Sequence, residues 1–197
     1  MTARMIEYLI DVASPNAYLA DKVLRARGAA VRYRPILLGG LFKLTGNSAP
    51  MIAYGGVPNK LAYEMTELRR FVERHGLTRY RMNPNFPVNS LHVMRAATGI
   101  ARSAPDTLPD LLDVLLDAMW ERGENLADEA VLKTAIARAG VDAEAALADA
   151  QTPATKEALK AATQDAADRG AFGVPTFFVG DEMWFGKERI DAAMAAA

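Results

Sequence analysis

Cysteine does not occur among the 197 residues, and that absence removes several chemistries together. Disulfides, thiolate-bound metals and a cysteine nucleophile are all excluded. Histidine is nearly as scarce, with two copies. His75 precedes Gly76 at the end of a helical stretch, where an imidazole near the last carbonyls is ordinary. His92 falls inside a helix with no aspartate partner nearby in sequence. No Gly-x-Ser-x-Gly motif makes either of them a hydrolase base, and no cluster has metal-ligand spacing. A charge imbalance is missing as well. The formal net charge of -1 gives no global attraction to nucleic acid or an anionic membrane, which disfavours both as partners. Long apolar runs are also lacking. Glu7 and Asp11 interrupt the N-terminal apolar stretch, so it does not read as a signal peptide. Asp110, Asp113 and Asp117 break "LPDLLDVLLDAMW", which is too short to span a bilayer. The expectation is a cytoplasmic protein.

What is present, 51% hydrophobic and 24% charged residues, is the composition of a soluble globular protein with a real core. "MIEYLIDV" (5–12) is β-branched and aromatic enough for a buried strand, and Ser14-Pro15 then opens a helix to about Arg27, with Gly28 as its C-cap. "VRYRPILL" from Val31 alternates as a second strand. A glycine- and proline-punctuated stretch of roughly twenty residues, "GGLFKLTGNSAPMIAYGGVPNK", follows and reads as a long loop of functional type. The middle of the chain is helical. Leu61, Met65, Leu68 and Val72 share one face, and Leu108, Leu111, Leu112, Leu115, Leu116 and Met119 form a second stripe. Further helices are predicted over 128–139 and 142–150, and Thr152-Pro153 opens another to about Arg169. "VPTFFVGDEMWF" reads as a hairpin turning at Gly180-Asp181, before a short helix from Lys187. The order β-α-β, helical block, α-β-β-α predicts an α/β thioredoxin-like fold with an inserted all-helical domain. Residues 1–58 and 151–197 make up the first part and 59–150 the second.

Four blocks, "DVASPNAYLA", "GGLFKLTGNSAP", "NPNFPVNSLHVMR" and "GAFGVPTFFVGDEMWFGKERI", together resemble the glutathione-dependent 2-hydroxychromene-2-carboxylate isomerases, relatives of kappa-class glutathione transferases within the DsbA-like group. The resemblance runs nearly the whole chain in the right order. It implies a homodimer, glutathione as cofactor and a small aromatic carboxylate as substrate. The implied reaction interconverts 2-hydroxychromene-2-carboxylate and trans-o-hydroxybenzylidenepyruvate, a step in aromatic hydrocarbon degradation.

Ser14 then has two readings. A serine before a helix-opening proline is ordinarily an N-cap. Here Ser14, Pro15, Asn16 and Ala17 stand where thioredoxin-like oxidoreductases carry Cys-x-x-Cys. The positive end of the helix dipole remains, and the hydroxyl can hydrogen-bond a bound thiolate. A free thiol has a pKa of about 8.5, so lowering it by about one or two units makes thiolate abundant at neutral pH. The resemblance further implies a cis Val174–Pro175 bond facing Ser14, with the Val174 backbone pairing to the cysteinyl part of glutathione like an added strand. Phe185, Gly186, Lys187 and Glu188 would take its γ-glutamyl end, although the family commonly has aspartate where Glu188 stands. Asn47 and Pro58 complete the glutathione set. Lys43, Asn59, Lys60 and Asn89 are the candidates for the substrate; Asn89 also reads as a helix cap. Two rivals remain open: a kappa-like transferase that releases its conjugate, and a non-catalytic thioredoxin-like binding protein.

Overall fold

The computed structural model describes residues 5–197; the first four residues of the expected thioredoxin-like part lie outside them. β1 (Ile6–Ile10) is buried along its whole length: four of its five positions are apolar or aromatic, and the fifth, Glu7, is covered by ion pairs with Arg32, Arg34 and Arg169. α1 (Pro15–Ala26) starts at the extended N-cap Ser14 and has Pro15 in its first turn; Gly28, with φ 63°, follows its end. β2 (Val31–Pro35) returns parallel to β1. Near the C-terminus, β3 (Thr176–Val179) and β4 (Glu182–Phe185) form the expected hairpin, with Gly180 at φ 62° in its turn. The sheet order is β2-β1-β3-β4, with β3 antiparallel to both β1 and β4. Tyr8 sits at its centre, its ring 5.7 Å from Tyr33 and 5.0 Å from Phe177, and its hydroxyl donates to the Ala17 carbonyl at 2.7 Å.

Between β2 and β3 the chain is helical. The expected long loop is not a loop. Leu38–Thr45 forms α2 and Pro50–Ala53 forms α3, before α4 (Pro58–Arg74). The glycines and prolines that punctuate this stretch sit within or at the ends of these helices. The head of α2 is held by acceptors from distant segments: the Leu38 N–H donates to Asp11 and the Leu37 N–H to Thr163. α5 (Leu91–Ser103) packs against β2, α8 and α9, which join the helical block to the sheet. α6 (Leu108–Trp120) carries the apolar stripe, with Leu111, Leu112, Leu115, Leu116 and Met119 fully buried. α7 (Glu129–Arg138), α8 (Ala143–Ala150) and α9 (Pro153–Asp168) start at the side-chain caps Asp128, Asp142 and Thr152, each accepting backbone N–H groups of its own first turn. A turn of 3-10 helix (Lys187–Arg189) leads into α10 (Ile190–Ala196). The buried apolar residues of the sheet and of the helical block belong to one continuous core. No helix among the described residues is long and apolar enough to cross a membrane.

Candidate active site

Two segments meet at the head of α1. Ser14 is 5% exposed. Its Oγ accepts the Ala17 N–H at 3.2 Å, which is the capping bond, and donates to the Val174 carbonyl at 3.4 Å. The two residues are 160 positions apart in the chain. The Val174–Pro175 peptide bond is cis. The Val174 N–H donates to no other described residue, so an edge of backbone is open beside the serine. From below, the Trp120 indole N–H holds the Val12 carbonyl at 2.8 Å. The Ser14 N–H donates to the Asp11 carbonyl at 3.1 Å. Capping and facing the proline loop are therefore not alternatives, because one hydroxyl does both.

Three further segments are tied to this pair. Gly46, with φ 66°, ends α2 and delivers Asn47, whose amide donates to the Phe172 carbonyl at 2.7 Å, two residues before Val174. The Gly186 N–H donates to the Pro175 carbonyl at 2.9 Å, which brings Phe185, Gly186, Lys187 and Glu188 up to the proline loop. Lys187 is buried and ion-paired with Glu188, and its ammonium lies 5.4 Å from the centre of the Phe71 ring. The Glu188 carboxylate is more than half exposed. Gly186 has φ 98°, a conformation that disfavours a side chain. The exposed rings of Phe172 and Phe185 lie 4.4 Å apart. A Cβ on Gly173 would come within 2.9 Å of the Phe185 ring, so the missing side chain there lets the ring settle on the loop.

The remaining candidates are placed differently. Lys43, Pro58, Asn59 and Lys60 are exposed on α2 and at the start of α4, and the Lys60 ammonium stands 3.5 Å over the Tyr54 ring. No hydrogen bond or ion pair joins them to Ser14 or Val174 among the described residues. Asn89 accepts the Leu91 N–H at 3.0 Å, the capping role. Its neighbour Ser90 reaches the site, donating to Asp11 at 2.9 Å. His75 ends α4 with its ring 4.3 Å from Phe71, and burial and the charge of Arg27 hold its pKa below the usual value. His92 lies 3.2 Å from the Gln151 amide, at the edge of a cavity of about 300 Å³ between α5, α7 and α8. No metal-binding group of three acidic, histidine or cysteine residues exists among the described residues.

Two residues escaped the sequence reading. Asp11 was visible only as a charge interrupting an apolar strand. It is fully buried, and burial pushes its carboxyl above the ordinary range, only partly offset by hydrogen bonds from Leu38, Ala13 and Ser90. Phe172 stood inside the "FGVPT" block, where only the backbone around the proline was read.

A thioredoxin-like sheet, a helix head aimed at a cis-proline loop, and serine where redox members carry cysteine define a DsbA-like protein without disulfide chemistry. A family profile described as the DSBA-like thioredoxin domain matches residues 5–196, and the chain belongs to that family. It is 29% identical to glutathione S-transferase kappa 1 of Homo sapiens, over 95% of this chain and 88% of that one. To 2-hydroxychromene-2-carboxylate isomerase of Pseudomonas putida it is 28% identical, over 94% and 90%. The solved structure of a 2-hydroxychromene-2-carboxylate isomerase superposes with a TM-score of 0.79 at 27% identity, covering 98% of this chain and 93% of that one.

Proposed function

We propose that this protein is a glutathione-dependent isomerase interconverting 2-hydroxychromene-2-carboxylate and trans-o-hydroxybenzylidenepyruvate. The observation that carries the reading is the Ser14 hydroxyl at the head of α1, hydrogen-bonded to the Val174 carbonyl beside an unpaired Val174 N–H. When bound, glutathione supplies a thiolate that adds reversibly to a conjugated carbon, which frees a locked double bond to rotate. The residues fit that cofactor. The Ser14 hydroxyl, turned from the Val174 carbonyl to the sulfur, and the positive head of α1 stabilise negative charge there. The Val174 backbone pairs with the peptide, as in strand addition. Glu188 is exposed and free to exchange Lys187 for an ammonium group, while Lys187 takes the accompanying carboxylate. Asn47, already anchored to the Phe172 carbonyl, fixes the wall between them. Pro58, exposed at the start of α4, joins this set on the family resemblance alone.

Lys43 and Lys60, both exposed, would supply positive charge for an aromatic carboxylate, and Asn59 and Asn89 amides. The chain divides functionally into a thioredoxin-like part (1–58 and 151–197) and a helical part (59–150). A homodimer is supported by the exposed apolar residues of α3, α4 and their connection, Met51, Ile52, Val57 and Tyr63; a monomeric mass at micromolar concentration would remove it.

Near-equal identity to an isomerase and to a kappa-class transferase favours keeping the transferase as a second reading. One experiment separates them. Purified protein is given hydroxychromene carboxylate with and without glutathione, and an aromatic electrophile in parallel. Isomer formed only with glutathione, and glutathione recovered unconsumed, supports the isomerase. Accumulating conjugate selects the transferase. Absence of both activities despite glutathione binding would reject an enzyme of either kind.

A further inference from the structure

Four carboxylates are buried among the described residues: Glu7, Asp11, Asp21 and Glu121. Glu7 pairs with Arg32, Arg34 and Arg169, Asp21 with Arg25, and Glu121 with Arg79. Asp11, fully buried, has no cation from any described residue and relies on hydrogen bonds alone. A carboxylate without water or a counter-ion is costly unless donors replace its hydration. Asp11 has three. One oxygen accepts the Ala13 N–H at 2.9 Å, and the other accepts the Leu38 N–H at 2.8 Å and the Ser90 hydroxyl at 2.9 Å.

The donors are not arbitrary. Leu38 is the first residue of α2, whose own N-cap position, Leu37, offers no acceptor, so Asp11 caps α2 from another segment. Ser90 occupies the N-cap position of α5, yet its hydroxyl makes no bond to its own helix and turns to Asp11, leaving the Leu91 N–H to Asn89. Ser14, the N-cap of α1, donates its N–H to the Asp11 carbonyl. Three helix heads thus converge on one residue, two on its carboxylate and one on its backbone carbonyl, and the partial positive charges of α2 and α5 offset part of the cost of burying the carboxylate. Each helix adjoins part of the candidate site: Ser14 caps α1, Asn47 follows the Gly46 cap of α2, and Asn89 precedes α5. Eight residues of α2, about 12 Å of helix, separate the Asp11 anchor from the amide that holds the proline loop.

We infer that Asp11 is the positioning residue that sets Ser14, Asn47 and Asn89 relative to one another. Its kinetic consequence rests on the glutathione reading; its mechanical consequence does not. The test uses Asp11→Asn, Ser90→Ala and Ser90→Thr. An amide at position 11 must oppose one donor with another, Ser90→Ala removes a single donor, and Ser90→Thr restores it. Amide exchange at Leu38 is expected to rise about tenfold in Asp11→Asn and severalfold in Ser90→Ala, although no hydrogen bond joins Leu38 to Ser90 directly. On folded protein, Asp11→Asn should weaken glutathione binding about tenfold. Ser90→Ala should raise KM for the chromene carboxylate about fivefold with kcat nearly unchanged, and Ser90→Thr should return it to the wild-type value.

If wild type fails to bind glutathione, the functional reading falls, and Leu38 exchange alone decides the role of Asp11. Unchanged exchange in Ser90→Ala overturns the inference. So does a Ser90→Ala protein with wild-type KM, or one that Ser90→Thr fails to rescue. Should Asp11→Asn not fold, the Ser90 pair carries the same test.

Discussion

Removing the Ser14 hydroxyl perturbs structure and chemistry by different amounts. In Ser14→Ala, the lost cap to Ala17 costs about 1 kcal/mol. The bond to the Val174 carbonyl is long at 3.4 Å, so its loss adds only about 0.5 kcal/mol, the low end for a neutral hydrogen bond. The sum, about 1.5 kcal/mol, lowers Tm by roughly 3–6 °C in a chain of this size. Chemistry should suffer more. A hydrogen bond to a charged group contributes about 1.5–3 kcal/mol, so turnover should fall roughly tenfold to a hundredfold. The pKa of bound glutathione should rise by about one to two units, read from thiolate ultraviolet absorbance. Ser14→Asp sharpens the test. Its carboxylate can still cap Ala17 but would face the Val174 carbonyl with no proton to donate, and it would repel a thiolate. Stability loss at least equal to that of Ser14→Ala, with still lower turnover, is expected. A Ser14→Ala protein that loses its few degrees of Tm yet keeps full turnover and an unshifted thiol pKa would refute the argument and leave Ser14 a cap.

Other outcomes follow from particular contacts. Gly99→Ala in α5 should be destabilising by up to about 2 kcal/mol in urea unfolding. Its Cβ would come 2.3 Å from the Asp149 carboxylate that holds Thr155, and overpacking of about 1–3 kcal/mol outweighs the roughly 0.5–1 kcal/mol gained by removing a helical glycine; net stabilisation would contradict the close approach of α5 and α8. Burial opposes ionisation of Glu7, but hydrogen bonds from Arg169 and Arg32 and the charges of Arg169 and Arg34 outweigh it, holding the carboxyl below its ordinary range. A depressed carboxyl stabilises the fold above its unfolded pKa of about 4.3 and loses that contribution as pH falls through the folded value. The stability gap between wild type and Glu7→Gln should therefore close on acidification below about pH 4.3, and a constant gap would count against the arginine cluster. Glu188→Gln should weaken glutathione binding about tenfold by calorimetry, the loss of one charge-assisted hydrogen bond; unchanged affinity would remove Glu188 from the site.

Local signals were the legible part of the sequence. The helices over 128–139 and 142–150, the cap at Thr152, the apolar stripe of α6 and the Gly180 turn are each specified within a few residues, and each stands close to where the pattern placed it. α2 and α3 were not legible. Gly39, Gly40 and Pro50 read as punctuation, whereas α2 is completed by groups 27 and 126 residues away in the chain, Asp11 and Thr163. The meeting of Ser14 with Val174 is likewise beyond any local pattern. The resemblance to a known family supplied that expectation, and spacing alone could not have done so. Asp11 was missed because a carboxylate inside an apolar stretch looks like an interruption until its donors from three segments are seen together.

The strand order also has a consequence for how the chain is made. β1 is the second strand of the sheet, yet its neighbour β3 lies beyond the whole helical block. At about 5–20 residues per second, a ribosome needs roughly 10–35 s after finishing β1 before β3 has been synthesised. Through that interval one edge of a buried strand, apolar but for Glu7, has no partner, a template for pairing with another nascent chain. The serine at the helix head likewise stands without its proline loop. A chain released before residue 176 would have the cap, the parallel strand pair and the helices, but neither closed sheet nor site. Quality control acting on such products would meet an aggregation-prone intermediate rather than a weakened enzyme.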